Sequence, residues 1–159
     1  MGYTIHMTER DIQKVLFNQF VDNRHTRKFR IAAPNIHMYP RWESDFLGLT
    51  SHGYLHEFEI KLNKADYLAD FNKKRKHQTL GSYFRSRSET FRIPKRFYYV
   101  IHGFHLSGGE LPDYAGLIYV NGGVITKVRT APDLPAMKIT NKQTAKFATS
   151  LCYRYWSLL

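Results

Sequence analysis

The chain has 159 residues, 43% hydrophobic and 23% charged, a globular balance that excludes wholesale disorder and leaves room for one domain, 1–159, in place of two separately cored halves. Its 24 Lys and Arg against 13 Asp and Glu leave a formal charge of +11, a field that attracts polyanions and points to nucleic acid as the partner. Cys152 is the single cysteine, which excludes an internal disulfide and a thiolate zinc site. No apolar run approaches the roughly 20 residues that span a bilayer. Met1 to Asp11 carries Glu9, Arg10 and Asp11 where a secretory signal needs an apolar core. A cytoplasmic protein with no membrane partner is expected.

Thr8-Glu9-Arg10-Asp11 reads as an N-terminal cap, and Ile12, Val15, Leu16 and Phe20 form one apolar stripe on a helix of about three turns. A basic stretch from Arg24 to Arg30 follows, then the apolar step Ile31-Ala32-Ala33 and a loop signal at Pro34-Asn35. Trp42–Thr50 and Tyr54–Leu62 read as a hairpin turned by Ser51-His52-Gly53. Asn63 to Asp66 caps a helix carrying Tyr67, Leu68 and Phe71, which runs into Lys73-Lys74-Arg75-Lys76-His77. Residues 78–94, with Gly81, Arg85, Arg87 and Arg92, read as a long basic loop. Phe97–Ile101 is a continuous apolar run suited to a buried central strand. Leu117–Val120 and Val124–Val128 flank Asn121-Gly122-Gly123 as a second hairpin, and the Thr140–Gln143 capping box opens a last helix with Ala145, Ala148, Leu151, Cys152 and Tyr155 on one face. The order predicts a mixed sheet with helices packed on it.

The chemistry concentrates in the first hairpin. Leu55, Glu57, Glu59 and Lys61 share one face of their strand, and His56, Phe58 and Ile60 the other. A hairpin symmetric about His52 sets Asp45 opposite Glu59 and Glu43 opposite Lys61. Directly paired positions lie about 4.5–5.5 Å apart at Cβ, and two carboxylates that close repel unless a cation sits between them. Mg²⁺ suits such a place, since it takes one or two carboxylates together with waters and substrate phosphate. Lys61 then points at the phosphate or the attacking water. Glu43 reads as a salt-bridge partner of Lys61, Glu57 as peripheral and Asp66 as a cap of its helix. His102 and His105 read as loop residues.

Asp45 followed by Glu59-Ile60-Lys61 resembles the D…ExK signature of the PD-(D/E)XK nuclease superfamily. The stretch Glu59-Ile60-Lys61-Leu62-Asn63-Lys64-Ala65-Asp66-Tyr67 is similar to the EVK-x-x-x-x-D-F segment of DNA-repair nucleases of the MmcB type and their phage relatives. Phe97-Tyr98-Tyr99-Val100 and Tyr114-Ala115-Gly116-Leu117-Ile118 resemble later strands of that group, and the likeness runs in order over residues 8–135. The resemblance implies a restriction-endonuclease-like α/β fold with an αβββαβ core and hydrolysis of DNA phosphodiesters with Mg²⁺ or Mn²⁺. It implies Asp45, Glu59 and the Ile60 carbonyl as metal ligands, Glu9 as a further contact from the first helix, and Lys61 as the group that stabilises charge on the phosphate. Beside that motif, Lys64, Lys73, Lys74, Arg75, Lys76, Arg85 and Arg87 read as phosphate contacts. A junction resolvase acting as a homodimer, and a non-catalytic nucleic-acid-binding module of the same fold, are the alternatives.

Overall fold

The computed structural model describes residues 5–39 and 42–159. Six strands form one mixed sheet in chain order: β1 (Phe29–Tyr39), β2 (Trp42–Thr50), β3 (Leu55–Lys61), β4 (Arg96–Ile101), β5 (Ala115–Asn121) and β6 (Val124–Arg129). The first three run as an antiparallel meander, β4 and β5 lie parallel to β3, and β6 returns antiparallel as the far edge. The parallel steps require crossovers. The first is made by the helices α2 (Lys64–Asp70) and α3 (Lys74–Ser86).

The other helices are α1 (Glu9–Phe17), continued by a π-helical turn at Asn18–Asp22, and α4 (Asn141–Ser157). Local capping sets their starts. Thr8 and Asp11 form a reciprocal capping box, as do Thr140 and Gln143, and each satisfies backbone donors that a helix start leaves open. Asn63 caps α2 by accepting from the Asp66 N–H, while Asp66 accepts from the Asn63 amide at 2.8 Å, the capping role expected for Asp66.

Both sheet faces are covered. Ile12, Leu16 and Phe20 pack from the α1 side on Phe58, Ile60, Tyr98 and Val100. Tyr67 and Leu80 pack from the α2–α3 side on Phe97, Tyr99 and Ile101. Phe147 of α4 seals a third cluster over Ala33, Leu47 and Leu55. Phe97–Ile101 is fully covered in β4, as a central parallel strand requires.

Three sequence expectations are corrected. The loop signal Pro34-Asn35 lies inside β1, which is the sheet edge, where proline's missing N–H costs no ladder bond on the open side. Much of the expected loop 78–94 is helix, because Leu80 and Gly81 turn inward under β4 and α3 continues to a left-handed cap at Arg87, φ 59°. On α4 the covered stripe is Phe147 with Leu151, not the alanine face; Ala145, Cys152 and Tyr155 are exposed. Among the described residues no helix is long and apolar enough to cross a membrane.

Candidate active site at the end of β3

The β2–β3 ladder runs from Leu49↔Leu55 to Phe46↔Phe58, the register expected from a turn centred on His52. Gly53 supplies the positive φ, 88°, that the turn needs. Asp45 stands one residue past the last pair. There its side chain replaces the ladder: Oδ2 accepts the Ile60 N–H at 2.8 Å. Behind it, the Gln13 amide of α1 donates to the Asp45 carbonyl at 2.9 Å and to Asn35 Oδ1 at 2.8 Å, so α1 pins β1 and β2 together at this point.

Alternation puts Glu57, Glu59 and Lys61 on the face under α2 and α3, and that face is buried rather than solvated. Glu57 is fully covered, held by Lys76 at 2.9 Å and by the Trp42 indole N–H at 3.1 Å. Lys76 reaches on to Glu59 Oε2 at 2.6 Å and lies over the Phe97 ring. Glu59 Oε1 receives Lys61 at 2.9 Å and Lys73 at 3.2 Å. The same two ammonium groups meet Asp70 Oδ1 at 3.0 and 3.1 Å. Asp70 Oδ2 accepts from Tyr99 at 2.7 Å and meets His77 Nε2 at 2.8 Å, and His77 Nδ1 meets the Tyr114 hydroxyl at 2.6 Å.

Charge balance explains how so many ionised groups tolerate burial. Burial opposes ionisation of Glu59, but Lys76, Lys61 and Lys73 outweigh it and hold the carboxyl below its ordinary range. Asp70 is held well below, its burial outweighed by the His77 hydrogen bond and by Lys61 and Lys76. Glu57 shifts the other way, raised by burial despite Lys76. Asp45 is the exception in kind. Burial and then the nearby Glu59 push its carboxyl up to about 7, with only the Ile60 N–H and Lys61 pulling back.

An open cavity of about 330 Å³ brings these groups to the surface, lined by Glu9, Asp45, Glu59, Ile60, Lys61 and Lys73, with Asp66 and Asp70. It therefore gathers all five residues expected at a metal and catalytic site. Among the described residues no three His, Cys, Asp or Glu side chains group as metal ligands. A divalent ion in this cavity would find two carboxylates, Asp45 and Glu59, on the wall beside Ile60. Two carboxylates are the number Mg²⁺ takes beside its waters, and here Glu59 already meets the ammonium groups of Lys61, Lys73 and Lys76.

Several expectations change here. Lys76 is not a nucleic-acid contact: it is 2% exposed and its ammonium is consumed by Glu57 and Glu59. Glu57 is not peripheral but the anchor of that lysine. Glu43 pairs with His37 of the edge strand at 3.0 Å, not with Lys61, because β2 parts from β3 beyond Phe46. Lys64 pairs with Glu110 outside the cavity, Lys74, Arg75 and Arg85 are exposed on α3, and Arg87 lies over the Phe84 ring at 4.8 Å. The sequence pattern assigns no site role to Asp70, Tyr99 or His77. The stripe Lys76, Leu80, Tyr83/Phe84 at helical spacing carries the signal that Lys76 faces inward. His102 lies just past β4, where its Nδ1 donates to the Val120 carbonyl at 2.9 Å.

No family model and no curated protein matches this chain. In fold the chain is similar to the SPO1766 protein of unknown function from Silicibacter pomeroyi, at TM-score 0.56 and 21% identity over 80% of this chain and 78% of that one.

Proposed function

We propose that the chain is a metal-dependent nuclease that hydrolyses nucleic-acid phosphodiesters in the cavity at the end of β3. The observation that carries this reading is the convergence of Glu9, Asp45, Glu59, Ile60 and Lys61 on one open cavity, with Asp45 pushed up to about 7 by burial and by Glu59. A carboxyl in that condition is one that a cation would ionise. The element order α1, β1–β3, α2–α3, β4 is also the order that an αβββαβ nuclease core requires.

Asp45, Glu59 and the Ile60 carbonyl would hold Mg²⁺ or Mn²⁺, which supplies Lewis acidity toward the phosphate and lowers the pKa of a bound water. The chain's own residues do the rest. The Ile60 N–H fixes the Asp45 carboxyl through Oδ2. Lys76 neutralises Glu57 and Glu59 from beneath, so the strand keeps its carboxylates buried without collapse. Lys61 and Lys73 meet Glu59 and Asp70 at the cavity wall and would turn their ammonium groups to the phosphate, where charge develops as the bond to the leaving oxygen breaks. The net charge of +11 would draw the substrate in.

A second reading draws on one further observation. Both oxygens of Glu59 already receive ammonium groups, an arrangement that also suits a metal-free nucleic-acid-binding module. The test is cleavage of linear duplex, single strand and four-way junction by wild type and Asp45→Asn, with Mg²⁺, Mn²⁺ or EDTA. The nuclease reading expects cutting that needs the metal and falls at least 100-fold in Asp45→Asn. Salt-sensitive binding by both proteins with no cutting under any condition rejects it in favour of the binding module.

A further inference from the structure

A second cavity, of about 470 Å³, opens on the other face of the sheet, lined by Lys28, Arg96, Lys127, His56, Phe20 and Tyr98 among others. His56 and Arg96 are register partners at the N-terminal ends of β3 and β4. Glu59 lies three residues further along β3 and on the opposite face, about 10 Å along the strand at roughly 3.3 Å per residue. The two cavities share no lining residue.

Of the four Lys and Arg side chains on this wall, Arg27 turns its Nε to the Val21 carbonyl at 2.7 Å, and Lys28, Arg96 and Lys127 have little to balance them. Asp133, the carboxylate beside them, is engaged by the Arg96 guanidinium at 2.8 Å. Lys28 rests over the Phe20 ring at 5.5 Å, and neither it nor Lys127 makes an ion pair among the described residues. Burial, and then Lys127 and Arg96, hold the Lys28 ammonium below its ordinary range. Such a cluster is relieved by an anion that sits among the three charges.

The remainder of the wall is of a different kind. Phe20 stacks on Phe58 at 5.7 Å and 27°, and Phe58 stacks on Tyr98 at 5.3 Å and 10°, so these buried rings back the cavity as an apolar aromatic wall. His56, driven down to about 4 by burial and by Arg96 and Lys28, is a neutral imidazole and offers one donor and one acceptor without adding charge. The volume falls in the range of about 300–1,000 Å³ typical of small-ligand clefts, well beyond what a bare phosphate fills.

We propose that this cavity binds a nucleoside monophosphate unit, with the phosphate among Lys28, Arg96 and Lys127 and the base toward the aromatic wall and His56. A free mononucleotide and the terminal nucleotide of a strand present this same chemistry. The site does not depend on the nuclease reading, since it uses neither Asp45 nor a metal.

The test is calorimetric titration in EDTA with dAMP, deoxyadenosine, inorganic phosphate, and a trinucleotide with and without a 5′-phosphate. The proteins are wild type, Asp45→Asn and the double variant Lys28→Gln/Lys127→Gln. Binding of dAMP or of the 5′-phosphorylated trinucleotide is expected at least tenfold tighter than deoxyadenosine or phosphate, unchanged in Asp45→Asn and weakened at least tenfold in the double variant. Preference for dAMP identifies a free nucleotide, and preference for the phosphorylated trinucleotide a strand end. In wild type the preferred ligand should also shield Lys28 and Lys127 from acetylation, a readout independent of how the double variant folds. Equal weak binding of all probes, or binding that leaves Lys28 and Lys127 unshielded, overturns the proposal.

Discussion

His56 shows how far a single side chain departs from its ordinary chemistry once the strand around it is buried. Its imidazole is pushed from 6.5 down to about 4 by burial and by the cationic Arg96 and Lys28, against the pull of Asp133. In the unfolded chain it takes up a proton near pH 6.5, in the folded one only near 4, so the unfolded state binds more protons between these values. Stability from this residue is therefore complete above about pH 6.5 and is lost as the pH falls through 4. At about 1.4 kcal/mol for each tenfold difference in proton affinity, the loss is of order 3 kcal/mol. Urea unfolding at pH 4.5 and 7.5 should show this acid-side drop in wild type and a much smaller one in His56→Gln. Equal drops in the two proteins contradict the assignment.

At the scale of elements, the junction between α3 and β3 is electrostatic where the rest of that face is apolar. Lys76 reaches from the first turn of α3 to both Glu57 and Glu59, and Leu80 one turn later packs on Phe97 and Tyr99. Removing the lysine alone leaves Glu57 buried with only the Trp42 N–H, beside a Glu59 that keeps Lys61 and Lys73. Breaking a buried pair in this way costs about 3–5 kcal/mol, so Lys76→Met is expected to lower unfolding free energy by that amount in denaturant titration. The double variant Lys76→Met/Glu57→Gln should recover part of it, since the Trp42 indole can still donate to the side-chain amide oxygen that replaces the carboxylate. If Lys76→Met is as stable as wild type, α3 is not anchored through this contact.

At the scale of the whole molecule, the excess of positive charge is not spread evenly in role. Lys61, Lys73 and Lys76 pair with Glu57, Glu59 and Asp70 in and around the cavity, whereas Lys74, Arg75 and Arg85 stand exposed on α3 with no ion pair among the described residues. Lys74 and Arg85 lie eleven residues apart, close to three turns, and so share a helix side. If nucleic acid crosses that side, each phosphate contact contributes about 0.9 to the slope of log affinity against log salt for duplex DNA. Replacing Lys74, Arg75 and Arg85 with glutamine should flatten that slope by roughly 2–3, read from binding titrations over a series of salt concentrations. An unchanged slope places the duplex elsewhere.

What the sequence determined by itself is what depends on near neighbours in the chain. The Thr8 and Thr140 capping boxes, the Gly53 turn, the alternation along β3 and the register that brings Asp45 toward Glu59 all rest on residues a few positions apart, and the motif legible there is the one that lines the cavity. What only the tertiary structure decided is which charges meet. Lys73 and Lys76 read along the chain as phosphate contacts in a basic run, and Glu57 as a peripheral acid. Their roles depend on how α2 and α3 lie against β3 and β4, a packing set by Tyr67, Leu80, Phe97 and Tyr99. Pairings across that interface span a dozen residues or more of chain, and a buried ion pair leaves no periodic signature because its members look polar wherever they stand. The same limit hid Pro34 in an edge strand: the residue reports only that one N–H is missing, and the sheet decides whether a partner was needed there.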